Sequence, residues 1–508
     1  MTFELDGHSL TLDLLAEEAG QSAPALSSGA RDRMEQSAAR VAEVLNQGEA
    51  VYGINTGFGA LAGKRIVDSD LSTLQYNLVR SHAAGIGAPL PNAVVRRILL
   101  LKANSLASGA SGIDPKLVDA LLALLQADVV PVIPERGSVG ASGDLAPLAH
   151  LALALIGEGE ARRNGVLLKG TEVNLAAGFE PLTLGPKDGL ALLNGTQVSA
   201  ALAIEGLFAA ERLLRSAVVS GALSIEALAG SHSPFDERIH EARNQQGQAV
   251  VADAFRALLT ESTIWHSHQD EDCNRVQDPY SSRCQPQVLG AVWDTLAHAA
   301  RVLEREANAA TDNPLVFSDA VISGGNFHAA PVGMVSDFMA IALADLGSIT
   351  ERRIDTFMRG VNPALPLFLA PSPGLESGFM LAHVSAAALT SENKTLAHPA
   401  SIDTVPTSAG QEDHVSMAPW AGLKLLRIAD NVASIIAIEL AAAAVALDLQ
   451  RPLSTTPALR PVHDLIRRHV PEYSEDRRHD RDIEALRTLI DGGEIAGHLP
   501  SAAWQAPW

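Results

Sequence analysis

The chain has few aromatic side chains: only 4% of its 508 residues are Phe, Trp or Tyr, although 47% are hydrophobic. Ala, Leu, Val and Ile must therefore fill most of the core, and such small side chains suit closely packed helices. Only two cysteines are present, Cys273 and Cys284. Two cysteines cannot make a disulfide framework in a chain of this length, so they fit a reducing compartment.

Positive charge is also scarce, since 38 Lys and Arg stand against 59 Asp and Glu and give a formal net charge of −21. That balance argues against nucleic acid or an anionic membrane as the main partner. Residues 1–20 have no basic flank and no uninterrupted apolar stretch, so no secretory signal is expected. The most apolar long segment, 432–449, contains Glu439 and Asp448 and therefore predicts a helix buried in protein rather than a membrane span. A cytoplasmic protein is expected.

Apolar periodicity and the positions of proline predict a mainly α-helical chain. Proline is harmless in the first turn of a helix and marks several of the predicted starts. The predicted helices span residues 29–47, 92–108, 197–228, 286–309, 331–358, 375–396 and 418–449. Helices of this length indicate an elongated bundle. We predict a smaller N-terminal domain at 1–195 and a helical bundle with C-terminal helices at 196–508.

Residues 129–147 predict a loop, because three prolines and three glycines interrupt any regular period. Within it, the tripeptide Ala141, Ser142 and Gly143 could react with itself. If the amide nitrogen of Gly143 attacks the carbonyl of Ala141, a five-membered ring closes. Loss of water, including the Ser142 hydroxyl, then leaves an exocyclic alkene that is an electrophile. Glycine lets the backbone fold back without a Cβ clash. Taken alone, the tripeptide is more often an ordinary turn.

Eight ordered blocks of sequence resemble the aromatic amino acid ammonia-lyases, and they extend over nearly the whole chain. The blocks are YGINTGFG (52–59), NLVRSHAAGIG (77–87), GSVGASGDLAPLAH (137–150), LLNGTQ (192–197), VQDPYSSRCQPQV (276–288), GGNFH (324–328), SENK (391–394) and PTSAGQEDHVSM (406–417). In that family the Ala-Ser-Gly loop becomes a 4-methylidene-imidazol-5-one group (MIO). The resemblance implies that Ala141, Ser142 and Gly143 form an MIO here, that Asp144 assists its formation, and that no dissociable cofactor is needed.

The resemblance also implies the fold of the fumarase/aspartase-like superfamily. That fold is mainly α-helical, with a smaller N-terminal domain that carries the MIO loop and a long central helical bundle. Members of the superfamily assemble as tetramers and build each active site from more than one subunit. We therefore expect a homotetramer with shared active sites.

The blocks are most similar to those of the histidine-specific members of the family. The implied reaction removes the α-amino group and a β-proton from L-histidine and gives trans-urocanate and ammonia. Because the β-proton is only weakly acidic, a positioned base is required. The place of Tyr52 in YGINTGFG implies that it is this base; a buried, hydrogen-bonded phenol is the alternative. Tyr280 resembles the tyrosine that closes over the prosthetic group.

Substrate binding is implied at two ends of the amino acid. Arg283 offers a planar pair of donors to the carboxylate, and Asn194 and Gln277 are neutral hydrogen-bond partners. Without the family context, Arg283 would be interpreted as a routine surface residue. Phe327 is expected to pack near the ring, with a plain core aromatic as the alternative.

The imidazole end depends on His82 and Glu412, which match the positions that hold the imidazole in histidine-specific members. A carboxylate suits an imidazole N–H, whereas beside a phenyl ring an unpaired buried Glu412 would be costly. Two departures from the family pattern are His383, where many members carry glutamine, and Trp420, where smaller residues are common. Both are interpreted as packing changes, although either could reshape the edge of the pocket.

Other functions are weaker candidates. Residues 265–276 crowd two His, three acidic residues and a Cys together, but the spacing fits neither HExxH nor paired CxxC motifs, so no metal site is expected. The glycines of NTGFGALAG lack the βαβ setting of a dinucleotide site. Two alternatives stay open: a related MIO-dependent lyase or aminomutase that acts on tyrosine, phenylalanine or a modified histidine, and a catalytically inactive helical scaffold.

Overall fold

The structure is a computed structural model that describes residues 3–17, 24–47, 51–57, 64–267, 276–360, 362 and 364–508. Its α-helices are α1 (Leu12–Glu17), α2 (Ser28–Gln47), α3 (Leu71–His82), α4 (Asn92–Ala107), α5 (Lys116–Gln126), α6 (Leu145–Leu155), α7 (Thr171–Ala177), α8 (Asp188–Leu193), α9 (Gln197–Ala227), α10 (Glu237–Arg243), α11 (Gln246–Leu259), α12 (Thr263–His266), α13 (Tyr280–Arg283), α14 (Gln285–Ala307), α15 (Ala330–Met358), α16 (Met380–Leu396), α17 (Ala418–Leu449), α18 (Arg460–His469), α19 (His479–Asp491) and α20 (Glu494–Gly497).

The strands of the described residues are all short. They are β1 (Glu4–Leu5), β2 (Ala25–Leu26), β3 (Ile86–Pro89), β4 (Val130–Pro131), β5 (Pro134–Arg136), β6 (Glu160–Arg163), β7 (Val166–Lys169), β8 (Leu315–Val316) and β9 (Val321–Ile322). They form a parallel pair, β1–β2, two antiparallel pairs, β3–β5 and β8–β9, and an antiparallel sheet of order β4–β6–β7. The predicted mainly helical fold is confirmed.

Six of the seven predicted helices lie within two residues of their predicted ends. The exception is α16, which begins at Met380 rather than near residue 375. The preceding residues form a turn in which Leu375 and Glu376 donate their N–H groups to the carbonyl of Ser372. Gly378 has a φ of +56°, which a right-handed helix does not allow. The prediction of a loop at 129–147 was wrong in part, because these residues include the short strands β4 and β5.

The chain divides into two compact units, neither of which is continuous in sequence. The first comprises Met1–Glu205, Ala300–Asp337 and Pro399–Leu423, and the second comprises Gly206–Ala299, Phe338–His398 and Lys424–Trp508. The boundaries fall inside the long helices α9, α14, α15 and α17. The predicted domain boundary between residues 195 and 196 stays a prediction.

The first unit is built around α4, which is almost entirely buried. Its buried residues are not confined to one face of the helix. Helix α4 is buried on nearly all sides, as expected of a helix in the middle of a core. Helices α3, α6 and α8 pack against one another, and α5 packs against α4. The loop that contains Ala141, Ser142 and Gly143 ends where α6 begins, at Leu145.

The second unit has a polar network within its helical core. Glu439 of α17 accepts hydrogen bonds from Ser220 (2.6 Å) and Ser224 (2.8 Å) of α9, and it forms an ion pair with Arg353 of α15. All four side chains are buried. Buried charges of this kind are tolerated when they are paired and hydrogen-bonded.

Helices α15 and α17 are long and apolar enough to cross a membrane by length and composition alone. The apolar stretch of α17 is 83% buried inside the protein and includes the paired Glu439. The prediction that residues 432–449 form part of a helix buried in protein is confirmed.

Candidate active site

The first unit contains a pocket with a volume of about 870 Å³, which suits a small-molecule site. It is lined by seven of the residues that the sequence predicted for the site: Tyr52, His82, Ala141, Ser142, Asn194, Phe327 and Glu412. These residues come from six separate segments of the sequence. The fold therefore brings most of the predicted site together within one unit.

The loop that contains Ala141, Ser142 and Gly143 packs closely against the segment that follows α8. Gly143 has a φ of +79°, and a Cβ added to it would lie 2.4 Å from the backbone nitrogen of Gly195. The next amide, that of Asp144, donates to the carbonyl of Gly195 at 2.8 Å. Only glycine fits at position 143, because a side chain would meet backbone that cannot move aside.

The carboxylate of Asp144 is fully buried beside the loop. It accepts hydrogen bonds from the Ser138 hydroxyl (2.9 Å), the Ser199 hydroxyl (2.9 Å) and the Ser199 N–H (2.7 Å). Burial raises the pKa of Asp144, and these hydrogen bonds oppose that increase. The carboxylate thus connects the loop to the first turn of α9, next to the atoms that would have to react.

Tyr52 is positioned by a small apolar cluster. Ile54, two residues further on, is fully buried against Val41 and Val44 of α2 and Val316 of β8. This anchor fixes the described segment 51–57, which has no regular secondary structure. The Tyr52 side chain then lines the pocket.

His82 is the last residue of α3, and its ring is oriented by the helix itself. The Nδ1 atom lies 2.8 Å from the carbonyl oxygen of Leu78, one turn earlier. Because a carbonyl can only accept, this contact assigns the proton to Nδ1 and leaves Nε2 as an acceptor. The half-buried ring lines the pocket on the α3 side.

Glu412 makes a contact that the sequence did not predict. One carboxylate oxygen accepts a hydrogen bond from the hydroxyl of Ser142, and the other accepts from the hydroxyl of Thr407. The backbone also pairs Thr407 with Glu412, since the Thr407 N–H donates to the Glu412 carbonyl at 3.0 Å. The turn at 407–412 therefore points the carboxylate at the serine that the proposed ring requires.

Asn194 is almost fully buried and has one polar atom without a partner. Its Nδ2 donates to the carbonyl of Asn313 at 3.0 Å, whereas Oδ1 accepts no hydrogen bond within the described part of the chain. An orphaned buried acceptor is costly unless a ligand or a modified group supplies a donor. Because Asn194 also lines the pocket, it is a candidate binding residue.

Four predicted residues are not among those that line this pocket. One of them is Gly143, which packs against the backbone of Gly195. Gln277, Tyr280 and Arg283 belong to the second unit. The Tyr280 side chain is 71% exposed, and the Arg283 guanidinium lies over its ring with 4.7 Å between Cζ and the ring centroid. The two departures from the family pattern, His383 and Trp420, do not line the pocket either. His383 instead contacts Glu351 at 2.8 Å.

Sequence reasoning did not identify several polar residues of the site. Asn77, Gln411, Asp413 and His414 line the pocket beside predicted residues. All four lie inside the sequence blocks that resemble the ammonia-lyases, so their place in those blocks could have identified them as candidate site residues. A fifth, Lys102, is buried behind the pocket; a lysine within the apolar run ILLLKANSLA could have been recognised as unusual.

Of the predicted polar loop at 265–276, residues 268–275 lie outside the described residues. Elsewhere in the described part of the chain, no group of three or more His, Cys, Asp or Glu side chains is arranged to hold a metal ion.

The mainly helical fold brings a serine loop, a phenol, an imidazole and a carboxylate together in one pocket. The proteins that the chain is similar to identify its class, a carbon–nitrogen lyase of the ammonia-lyase type. The particular family follows from comparison with known proteins. The model of the family described as aromatic amino acid lyase matches residues 10–468, and the chain belongs to this family.

Individual relatives support the same assignment. The sequence is 54% identical over 495 residues to a histidine ammonia-lyase of Rhodospirillum rubrum, a match that covers 97% of this chain and 96% of that protein. The structure is similar to that of a histidine ammonia-lyase from Trypanosoma cruzi, with a TM-score of 0.90, 40% identity and coverage of 99% and 96%. It is also similar to a tyrosine aminomutase from Streptomyces globisporus, with a TM-score of 0.92, 35% identity and coverage of 98% of each chain.

Proposed function

We propose that this protein removes ammonia from L-histidine to give trans-urocanate, by means of an MIO electrophile formed from Ala141, Ser142 and Gly143. The observation that carries the proposal is the contact between Ser142 and Glu412 in a pocket that His82 also lines. A reactive loop and a pair of groups suited to an imidazole thus share one cavity. The similarity to histidine ammonia-lyases of two organisms supports the same substrate.

The residues around the loop fit an MIO. Gly143 already has a positive φ and packs against Gly195, so the backbone turns sharply at the point where the ring would close. Asn194 Oδ1 offers an unused acceptor in the same pocket. When formed, the MIO supplies an electrophilic alkene that captures an amino group. Proton abstraction and substrate binding are carried out by side chains of the protein.

Tyr52 is proposed as the base that takes the β-proton, since it is the phenol that lines the pocket. At the far end of the substrate, a neutral imidazole can donate its single N–H to Nε2 of His82 or to the Glu412 carboxylate, and a protonated ring has two N–H groups and can donate to both. Phe327 packs against the bound ring. Water is kept away by the apolar lining that Leu74, Leu78 and Leu190 provide.

The substrate carboxylate needs a cation, and among the described residues that line the pocket of the first unit there is neither Arg nor Lys. We assign this role to Arg283 of a second subunit, together with Gln277 and Tyr280. The stacking of Arg283 on the exposed Tyr280 ring would let one surface deliver both side chains. This assignment requires that subunits share active sites, and we propose a homotetramer as the assembly. We propose the cytoplasm as its location.

Two measurements test this function. The intact mass of the purified chain is expected to be lower than the sequence mass by two waters. Incubation with L-histidine, L-tyrosine and L-phenylalanine is expected to give ammonia and urocanate from histidine alone. Full sequence mass would refute the MIO, and it would favour the inactive scaffold. Cinnamate or coumarate without urocanate would refute the roles of His82 and Glu412, and a β-amino acid product would indicate an aminomutase.

A further inference from the structure

A buried lysine lies directly behind the proposed site. Lys102 belongs to α4 and is only 1% exposed. Its Nζ donates to the backbone carbonyl of Asn194 at 2.5 Å and to Oε1 of Gln197 at 3.5 Å. Both acceptors are uncharged, although lysines are rarely buried without an acidic partner. Burial lowers the pKa of Lys102 to about 7.

The charged neighbours of Lys102 are committed to other partners. Asp312 forms an ion pair with Lys187 at 2.5 Å, and both side chains are buried. Asp144 accepts its three hydrogen bonds from Ser138 and Ser199. These three groups, Asp312, Lys187 and Asp144, are the charges that act on Lys102 through space. The lysine is therefore held in place by its contact with Asn194 rather than by a salt bridge.

Gln197 is oriented to support that contact. Its Nε2 donates to the Thr311 hydroxyl at 2.8 Å, which turns Oε1 toward Lys102. The same amide lies against Gly195, because a Cβ added to Gly195 would come within 2.4 Å of Gln197 Oε1. Lys102 and Gln197 thus enclose the Asn194–Gly195 segment from behind.

That segment is in turn the surface on which the reactive loop rests. Gly143 packs against the Gly195 backbone, and the Asp144 N–H donates to the Gly195 carbonyl at 2.8 Å. The Asn194 side chain extends from the same segment into the pocket. A continuous set of contacts therefore connects the Lys102 ammonium to Gly143.

We propose that Lys102 is a positioning residue that holds Asn194 and Gly195 against the loop so that the ring of residues 141–143 can close. The inference rests on the proposed function, because it assumes that the MIO forms. Lys102 touches no reacting atom; it acts through the Asn194 carbonyl and the Gly195 backbone.

Ring closure is sensitive to such support. The Gly143 nitrogen forms a bond to the Ala141 carbonyl carbon and loses its proton, while the carbonyl oxygen gains one and becomes a hydroxyl. That hydroxyl and the Ser142 N–H proton leave as the first water, and the Ser142 hydroxyl and its Cα proton leave as the second. Because the first step requires close approach of two backbone atoms, a loosened Gly195 surface would slow it strongly.

The test is the ring content of Lys102→Met, a variant of similar length that removes the ammonium without leaving a buried carboxylate unpaired. In folded protein isolated by size exclusion, the fraction of chains that lack two waters is expected to fall about tenfold relative to wild type. Lys116→Met, at an exposed lysine of α5, is the matched control and should keep full ring content. Ser142→Ala gives the reference mass without a ring.

The melting temperature distinguishes positioning from a merely structural role. A structural role predicts a lower melting temperature for Lys102→Met but full ring content in the folded fraction, and that result would overturn the proposal. If Lys102→Met does not fold, Lys102→Gln replaces it, because its shorter amide does not span the distance to the Asn194 carbonyl; full ring content there overturns the proposal equally. A wild-type chain at full mass would instead refute the MIO itself, so the two failures are distinguishable.

Discussion

Glu412 illustrates at the scale of one residue how the structure refined a sequence-based role. The sequence assigned Glu412 to the substrate imidazole, and the structure adds a hydrogen bond from the Ser142 hydroxyl to its carboxylate. In the unreacted chain the carboxylate has the Ser142 hydroxyl as its partner. If the proposed ring forms, that hydroxyl is lost and an imidazole N–H can take its place. The same acceptor could thus serve both states of the site.

Glu412→Gln is expected to separate these two roles. The amide oxygen can still accept a hydrogen bond from Ser142, so the ring should form and the mass should still be two waters low. The negative charge opposite the imidazole is lost, and kcat/KM for L-histidine should fall about 10- to 100-fold, the usual effect of losing a charged hydrogen bond. Steady-state kinetics and intact mass measure the two quantities.

Asp413→Asn is the control for Glu412→Gln, since it removes the neighbouring carboxylate from the same pocket lining. It should change kcat/KM for histidine much less. Equal losses of ring content and turnover in Glu412→Gln would mean that Glu412 is structural.

The sequence predicted the side chains of the site better than their surroundings. Blocks such as YGINTGFG identified Tyr52, whereas the burial of Lys102 behind Asn194 depends on packing between α4 and the end of α8, which no local pattern records. The orphaned Oδ1 of Asn194 was equally invisible, because a missing hydrogen bond can only be recognised once all the neighbours are placed.

At the scale of secondary structure, the long helices were predictable because their apolar periodicity extends over many turns. Helix α17 begins and ends at the predicted residues. The start of α16 was not predictable from the sequence, since a glycine at positive φ and a turn at Ser372 interrupt an otherwise apolar segment. The short strands β4 and β5 escaped prediction because two or three residues carry no detectable alternation.

The short helix α8, which leads directly into Asn194, should make stability depend on pH. Its first residue, Asp188, is buried, and burial raises the pKa of Asp188 to about 6. The folded state therefore holds this proton more tightly than the unfolded state. The stabilisation of the folded state by protonated Asp188 is fully present below the unfolded pKa near 3.8, and it is lost as the pH rises through about 6.

Asp188→Asn cannot ionise, and its side-chain oxygen can still accept the hydrogen bond from the Gly185 N–H. Relative to wild type, its free energy of unfolding should increase by up to about 3 kcal/mol between pH 4 and pH 7. Urea unfolding at the two pH values measures the difference. Asp319→Asn, at an exposed carboxyl group, should show no such change; a pH-independent difference for Asp188→Asn would contradict the assignment.

At the scale of the whole molecule, the proposed active site is incomplete in one chain's first unit. Tyr52 lines the pocket there, whereas Arg283, the proposed partner of the substrate carboxylate, belongs to the second unit and does not line it. If a second subunit supplies Arg283, each site combines Tyr52 of one chain with Arg283 of another. Isologous and closed assemblies make such exchange between identical subunits possible.

Co-expression of two inactive variants tests this arrangement. Tyr52→Phe and Arg283→Met should each have very low histidine turnover, since one lacks the proposed base and the other the proposed partner of the substrate carboxylate. In hybrid oligomers that contain both variants, some sites pair an intact Tyr52 with an intact Arg283, and activity should return well above that of either variant alone. Differently tagged chains, purified by both tags in succession, isolate those hybrids. Hybrids that stay inactive would mean that each chain provides both residues to its own site, because every site would then carry one of the two substitutions.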